Sequence, residues 1–101
     1  MITSKQRAFL RSLANDIDTI LMVGKSGIGA DIIKQADDAL TAREILKAKV
    51  LETSPVPVKE VAEQIAAQIH AEVVQVIGSK FVLYRKNEKE PKIVLPKASK
   101  K

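Results

Sequence analysis

The sequence predicts an α/β fold: a single compact domain in the order α-β-α-β-α-β-β, with three helices against one four-stranded mixed sheet. Three observations predict it. Apolar residues recur at helical spacing in three segments, separated by short apolar or alternating runs of strand length. Strands that alternate with helices favour crossovers and parallel pairing. The last two strand candidates are separated by little more than Gly78-Ser79, so the sheet closes on an antiparallel hairpin. A chain of 101 residues fits one domain, able to bury about 60–70% of its unfolded surface.

The elements follow in chain order. Thr3 and Gln6 form a capping box, in which the hydroxyl accepts from the Gln6 amide and the Gln6 side chain reaches back. Phe9, Leu10, Leu13, Ala14 and Ile17 then give an apolar stripe, so the first helix runs from Ser4 to Ala14 or Asn15. Ile20 to Val23 is wholly apolar and predicts a strand buried on both faces. A second helix is expected over Ile28 to Ala42, with Ile28, Ile32, Ile33, Ala36 and Leu40 inward and Asp31 near its positive end. From Ile45 to Leu51 the chain alternates: Leu46, Ala48 and Val50 face one way, Lys47 and Lys49 the other. Two lysines on one face imply that this face is not fully covered, and they read as solvated. Pro55 and Pro57 make "TSPVPV" a connector. Val58, Val61, Ala62, Ile65, Ala66 and Ile69 form the clearest helical stripe. Val73 to Ile77 and Phe81 to Lys86 are the hairpin strands, joined by a type II′ turn with Gly78 in its first central position.

Composition narrows the function. Zero cysteines exclude disulfides and thiolate metal sites, and a single histidine, His70, argues against a histidine-based centre. No catalytic group, cofactor or metal is therefore expected. There is no apolar run long enough to cross a membrane and no signal-peptide core, so a cytoplasmic protein is expected. The formal charge of +5 is not evenly spread: residues 85–101 hold seven basic and two acidic side chains, 7 − 2 = +5, and the remainder is neutral. That local field suits an anionic partner. Residues 88–101, lysine-rich and broken by two prolines, are expected to form a mobile basic tail behind a domain of residues 1–87.

The stretch "MVGKSGIGAD" at 22–31 carries the sharpest signal. A phosphate loop of the G-x-x-x-x-G-K-[ST] type would need glycine at position 19, which is Thr19. The dinucleotide pattern would need glycine at Ile32. What remains is Gly24-Lys25-Ser26-Gly27, a G-x-x-G between a strand and a helix, the arrangement that KH-type loops use to clamp nucleotides by their backbone. Glycines allow a phosphate close to the chain, amides at the helix start donate to it, and Lys25 adds charge. The competing reading is a plain turn with an exposed lysine.

"KQRAFLRSLA" at 5–14, "VGKSG" at 23–27, "ILKAKVL" at 45–51, "VVQVIG" at 73–78 and "LYRK" at 83–86 together resemble the CRM domain, the chloroplast RNA splicing and ribosome maturation domain, in its stand-alone bacterial YhbY-like form. No single motif is specific, but the five stand in the family's order. The resemblance implies a fold similar to the C-terminal domain of translation initiation factor three. It further implies a KH-like G-x-x-G loop used for RNA and association with precursors of the large ribosomal subunit, with 23S-type ribosomal RNA as the partner. Two departures stand out: Gly29 replaces a Thr or Ser that would cap the second helix, and His70 replaces the glycine that ends the third. His tolerates the left-handed conformation better than most residues, so that turn is expected to survive.

The candidate RNA-binding residues are thus Gly24, Lys25, Ser26 and Gly27, with Lys5, Arg7, Arg11, Arg85 and Lys86 as extensions of the phosphate track. Tyr84 is expected in the core, and with 3% aromatic residues a stacking platform is excluded. The expected function is non-catalytic RNA binding by a monomer, with no small-molecule substrate and no membrane. The alternative is a protein–protein adaptor on the ribosome, tethered by the basic tail. Without residues 88–101 the domain is expected to fold.

Overall fold

The computed structural model describes residues 2–87 and residue 93. The elements are α1 (Ser4–Ala14), β1 (Leu21–Val23), α2 (Ala30–Arg43), β2 (Ile45–Val50), α3 (Val58–Ile69), β3 (Glu72–Ile77) and β4 (Lys80–Tyr84). This is the expected order. The sheet runs β1-β2-β4-β3, with β1 parallel to β2 and β4 antiparallel to both its neighbours. The crossover through α3 therefore leaves one strand's width between β2 and β3, and the hairpin folds β4 back into it.

The sheet separates two cores. On one face α2 and α3 cover Leu21, Val23, Leu46, Ala48, Val50, Phe81 and Leu83. On the other, α1 lays Leu10 and Ala14 over Ile45, Val74, Val82 and Tyr84. Burial of a side chain the size of Phe81 or Leu10 contributes about 1.5–3 kcal/mol each. The α1 capping box forms as expected: Thr3 Oγ1 accepts from the Gln6 amide at 3.1 Å, and Gln6 Oε1 from the Thr3 amide at 3.0 Å.

Four local features differ from expectation. First, β1 is not buried on both faces: Met22 is 57% and Ile20 40% exposed. The strand lies at the sheet edge, and α1 packs on β2, β3 and β4, so among the described residues no helix covers β1 on that side. Second, α2 starts two residues late, at Ala30, with Gly29 as an N-cap that offers no side-chain bond. Third, Lys47 is not simply solvated: its Nζ donates to the Ala14 carbonyl at 3.1 Å and so neutralises the negative end of α1. Fourth, β3 carries a bulge between Val73 and Gln75 that turns the extra residue, Val74, into the α1 core.

Two helices end on a non-glycine residue in the left-handed region. His70 closes α3 at φ 59°, as its position implied, and Glu44 closes α2 at φ 66°. Gly78 at φ 58°, with no positive φ at Ser79, matches the expected two-residue turn. The mobility expected for residues 88–101 falls outside the described residues, except at Ile93. That residue packs against the α1 core and its amide donates to Glu44 Oε1 at 2.6 Å. Of the residues beyond 87, Ile93 is thus the one described, and it contacts the domain.

Candidate functional site

The Gly24–Gly27 loop leaves the carboxyl end of β1 as a tight turn. The Gly27 amide donates to the Gly24 carbonyl at 2.9 Å, Lys25 and Ser26 stay at negative φ, and Gly27 lies at φ 67°. A glycine after such a turn is what its backbone requires, since other residues strain in the left-handed region. Both glycines also stand at van der Waals distance from the next connector. A Cβ on Gly27 would sit 3.4 Å from Pro55 Cγ, and one on Gly24 3.5 Å from Leu51 Cδ1. The turn is thus braced by the 51–57 connector, whose prolines hold it stiff and whose Ser54 Oγ both accepts from the Val56 amide and donates to its carbonyl. Sequence reasoning treated that connector as a spacer; the signal it carried was the paired prolines, a rigid segment where a spacer needs none.

Bracing leaves Lys25 and Ser26 exposed at the tip, with Gly27 buried beneath. Beyond them comes the start of α2, whose first intrahelical bond is Ile33 amide to Gly29 carbonyl. The preceding amides carry the partial positive charge of a helix N-terminus, offset in part by Asp31 in the first turn. Chemically, the loop offers one exposed cation, one hydroxyl and a rim of amides to an anion.

The other candidates disperse. Arg7 faces inward: its Nη1 donates to the carbonyls of Val73 and Val74, the latter at 2.9 Å, tying α1 to the bulge. Arg85 is clamped by Asp37 Oδ1 at 2.6 Å, the Ile69 carbonyl at 2.9 Å and Thr41 Oγ1 at 2.9 Å. Both guanidinium groups serve the fold, where five donors in a planar fork can satisfy several carbonyls at once. Lys5, Arg11 and Lys86 are exposed. Arg85 and Lys86 follow the carboxyl end of β4, which runs antiparallel to β2 and so finishes beside Ile45, away from the loop. Replacing Arg85 by Lys should therefore cost about 1–2 kcal/mol in chemical denaturation, from lost hydrogen bonds to a charged donor, and leave nucleic-acid affinity close to that of the parent.

Lys49, read from the sequence as solvated, and Lys80, which that reading did not single out, stand at the loop's end of the sheet. Lys49 precedes the carboxyl terminus of β2 and is paired in register with Lys80 at the start of β4. Elsewhere, a cleft of about 660 Å³ between α2 and the end of α3 is lined by Gly29, Lys34, Asp37, His70 and Arg85. Its cations are already matched: Lys34 pairs with Asp38 at 3.1 Å and Arg85 with Asp37.

Comparison with known proteins agrees with this architecture. Residues 2–85 match the CRS1 / YhbY (CRM) domain family. The "Probable RNA-binding protein YqeI" of Bacillus subtilis is 40% identical over 96 residues, covering 95% of this chain and 100% of that protein. An "RNA-binding protein" of Haemophilus influenzae is 32% identical over 95% of this chain and 96% of its own length. The solution structure of a Staphylococcus aureus protein described as a candidate RNA binder superposes with a TM-score of 0.75, at 43% identity, covering 95% of this chain and 100% of that one.

Proposed function

Since the chain belongs to the CRS1 / YhbY (CRM) domain family, we propose that it is a non-catalytic RNA-binding protein that engages ribosomal RNA of a large-subunit precursor and assists ribosome assembly. The observation that carries this reading is the braced turn: Gly27 at φ 67° against Pro55 holds Lys25 and Ser26 outward beside the open amides of α2. A rigid loop of this kind meets phosphates without first being ordered, so little binding energy is lost to immobilisation. Its contacts are to backbone, which favours recognition of RNA shape over sequence. The non-catalytic part rests on how the titratable groups are used. Asp37 neutralises Arg85, Glu44 is buried against backbone amides, and His70 is a helix cap.

The test is a salt series. Affinity for a precursor ribosomal RNA fragment should fall linearly on a log–log plot, each phosphate contact contributing a slope of about −0.7 to −0.9. Lys25→Ala should reduce that slope by about one unit while shifting stability by less than about 0.5 kcal/mol. In a sucrose gradient the parent should travel with large-subunit precursors and Lys25→Ala should leave those fractions as salt is raised. A flat salt dependence, with retention in those fractions, would favour a protein–protein adaptor instead.

A further inference from the structure

We propose that the part of the sheet that the described residues leave open beside α1 is a second RNA-contacting surface, in which Lys49 and Lys80 hold phosphates and Met22 and Ile77 pack against bases or riboses. This rests on the RNA-binding reading and extends it from the loop to the adjoining face. The strand registers place Met22 beside Lys49, Lys49 beside Lys80, and Lys80 beside Ile77, one residue from each of the four strands. At about 4.8 Å per strand this row spans roughly 14 Å.

The two lysines are an unusual pair. The Val50 amide donates to the Ser79 carbonyl at 2.7 Å, which makes Lys49 and Lys80 the next, non-hydrogen-bonded pair, where side chains stand closest. Like charges directly opposite one another destabilise a sheet. Neither ammonium has a carboxylate partner among the described residues, in contrast to Lys34 and Arg85 on the helix side. An anion lying across the row would relieve that repulsion.

The apolar flanks point the same way. The exposed large hydrophobic residues among those described are Ile20, Met22 and Ile77, at 40%, 57% and 64%, and alternation along the strands puts all three on this face. A second copy of the chain is a poor occupant, because a two-fold contact would bring the lysines of both copies together. RNA fits the charge, and it fits the continuity: Met22 lies two residues before Gly24, so a strand gripped at Lys25 runs directly onto the row.

The test uses a labelled RNA stem-loop with a single-stranded tail and the full chain as parent, Lys25→Ala, Lys49→Gln/Lys80→Gln and Lys80→Glu. The double variant should lower the salt slope by about two units and weaken binding about tenfold or more at moderate salt. Lys80→Glu should weaken binding and yet raise the thermal midpoint by roughly 1–5 °C, since it converts a repulsive pair into an attractive one. Opposite signs on binding and stability cannot arise from misfolding. If the parent and Lys25→Ala behave as the loop requires while the double variant binds like the parent, the sheet face is not an RNA surface and the loop reading stands. If the double variant keeps RNA affinity but leaves the ribosomal-precursor fractions, the face binds an acidic protein, which also overturns the proposal. If the parent binds no RNA, the function proposed above fails first.

Discussion

Gly27→Asp is expected to weaken RNA binding at least tenfold, and by more than Gly27→Ala does. Gly27 lies at φ 67° with its absent Cβ directed to within 3.4 Å of Pro55 Cγ. Alanine there meets the left-handed penalty of about 1–2 kcal/mol, and some displacement of the proline ring. Aspartate meets the same contact but tolerates the left-handed region better than alanine, so its backbone strain is smaller. Binding should rank the other way. A carboxylate placed beside an approaching phosphate adds a like-charge interaction of about 1–4 kcal/mol at contact distance, between the limits of water and protein surface. A tenfold loss corresponds to about 1.4 kcal/mol, which lies inside that range. Equilibrium titration of labelled RNA, run beside urea unfolding of both variants, separates the two effects. If affinity follows stability across the pair, the loop is a structural turn and makes no phosphate contact.

The largest effect on stability outside the apolar core should come from Glu44. This residue is 0% exposed, closes α2 in the left-handed region at φ 66°, and its carboxylate accepts from the Asn87 and Ile93 amides. Its own carbonyl accepts from the Arg85 amide at 2.9 Å. Glu44→Ala keeps the backbone strain and leaves two half-buried amides without their acceptor, at up to about 1–3 kcal/mol for each group. The expected loss is about 2–4 kcal/mol. Glu44→Gly loses the same acceptor but relieves the left-handed strain, so it should be about 1 kcal/mol less damaging than alanine. Shortening the chain after Asn87 removes Ile93 and one of those amides. The shortened domain should still fold, but with lower stability than the sequence alone suggests. Its cost should overlap that of Glu44→Ala, leaving a coupling of about 0.5–3 kcal/mol in the double variant. Additive losses would show that Ile93 and Glu44 do not stabilise the fold together.

Both experiments mark the line between what the chain states locally and what its folding decides. The element order, the capping box at Thr3, the stripe of α3, the two-residue hairpin and the left-handed His70 were all legible. Each depends on spacing within a few residues or on one residue's backbone preference, and such information lies along the chain. The turn at Gly24–Gly27 was legible for the same reason. What could not be read was which groups share space. The edge position of β1, and with it the exposure of Met22, follows from the sheet order and from where α1 crosses. Arg7 and Arg85 look on paper like free cations, yet Arg7 binds carbonyls 66 and 67 residues away and Arg85 an aspartate 48 residues away. Lys49 and Lys80 are 31 positions apart and become neighbours only through strand register, 80 − 49 = 31. A charge is written in the sequence, but whether it is neutralised depends on its surroundings within a few ångströms, and only the tertiary structure sets those.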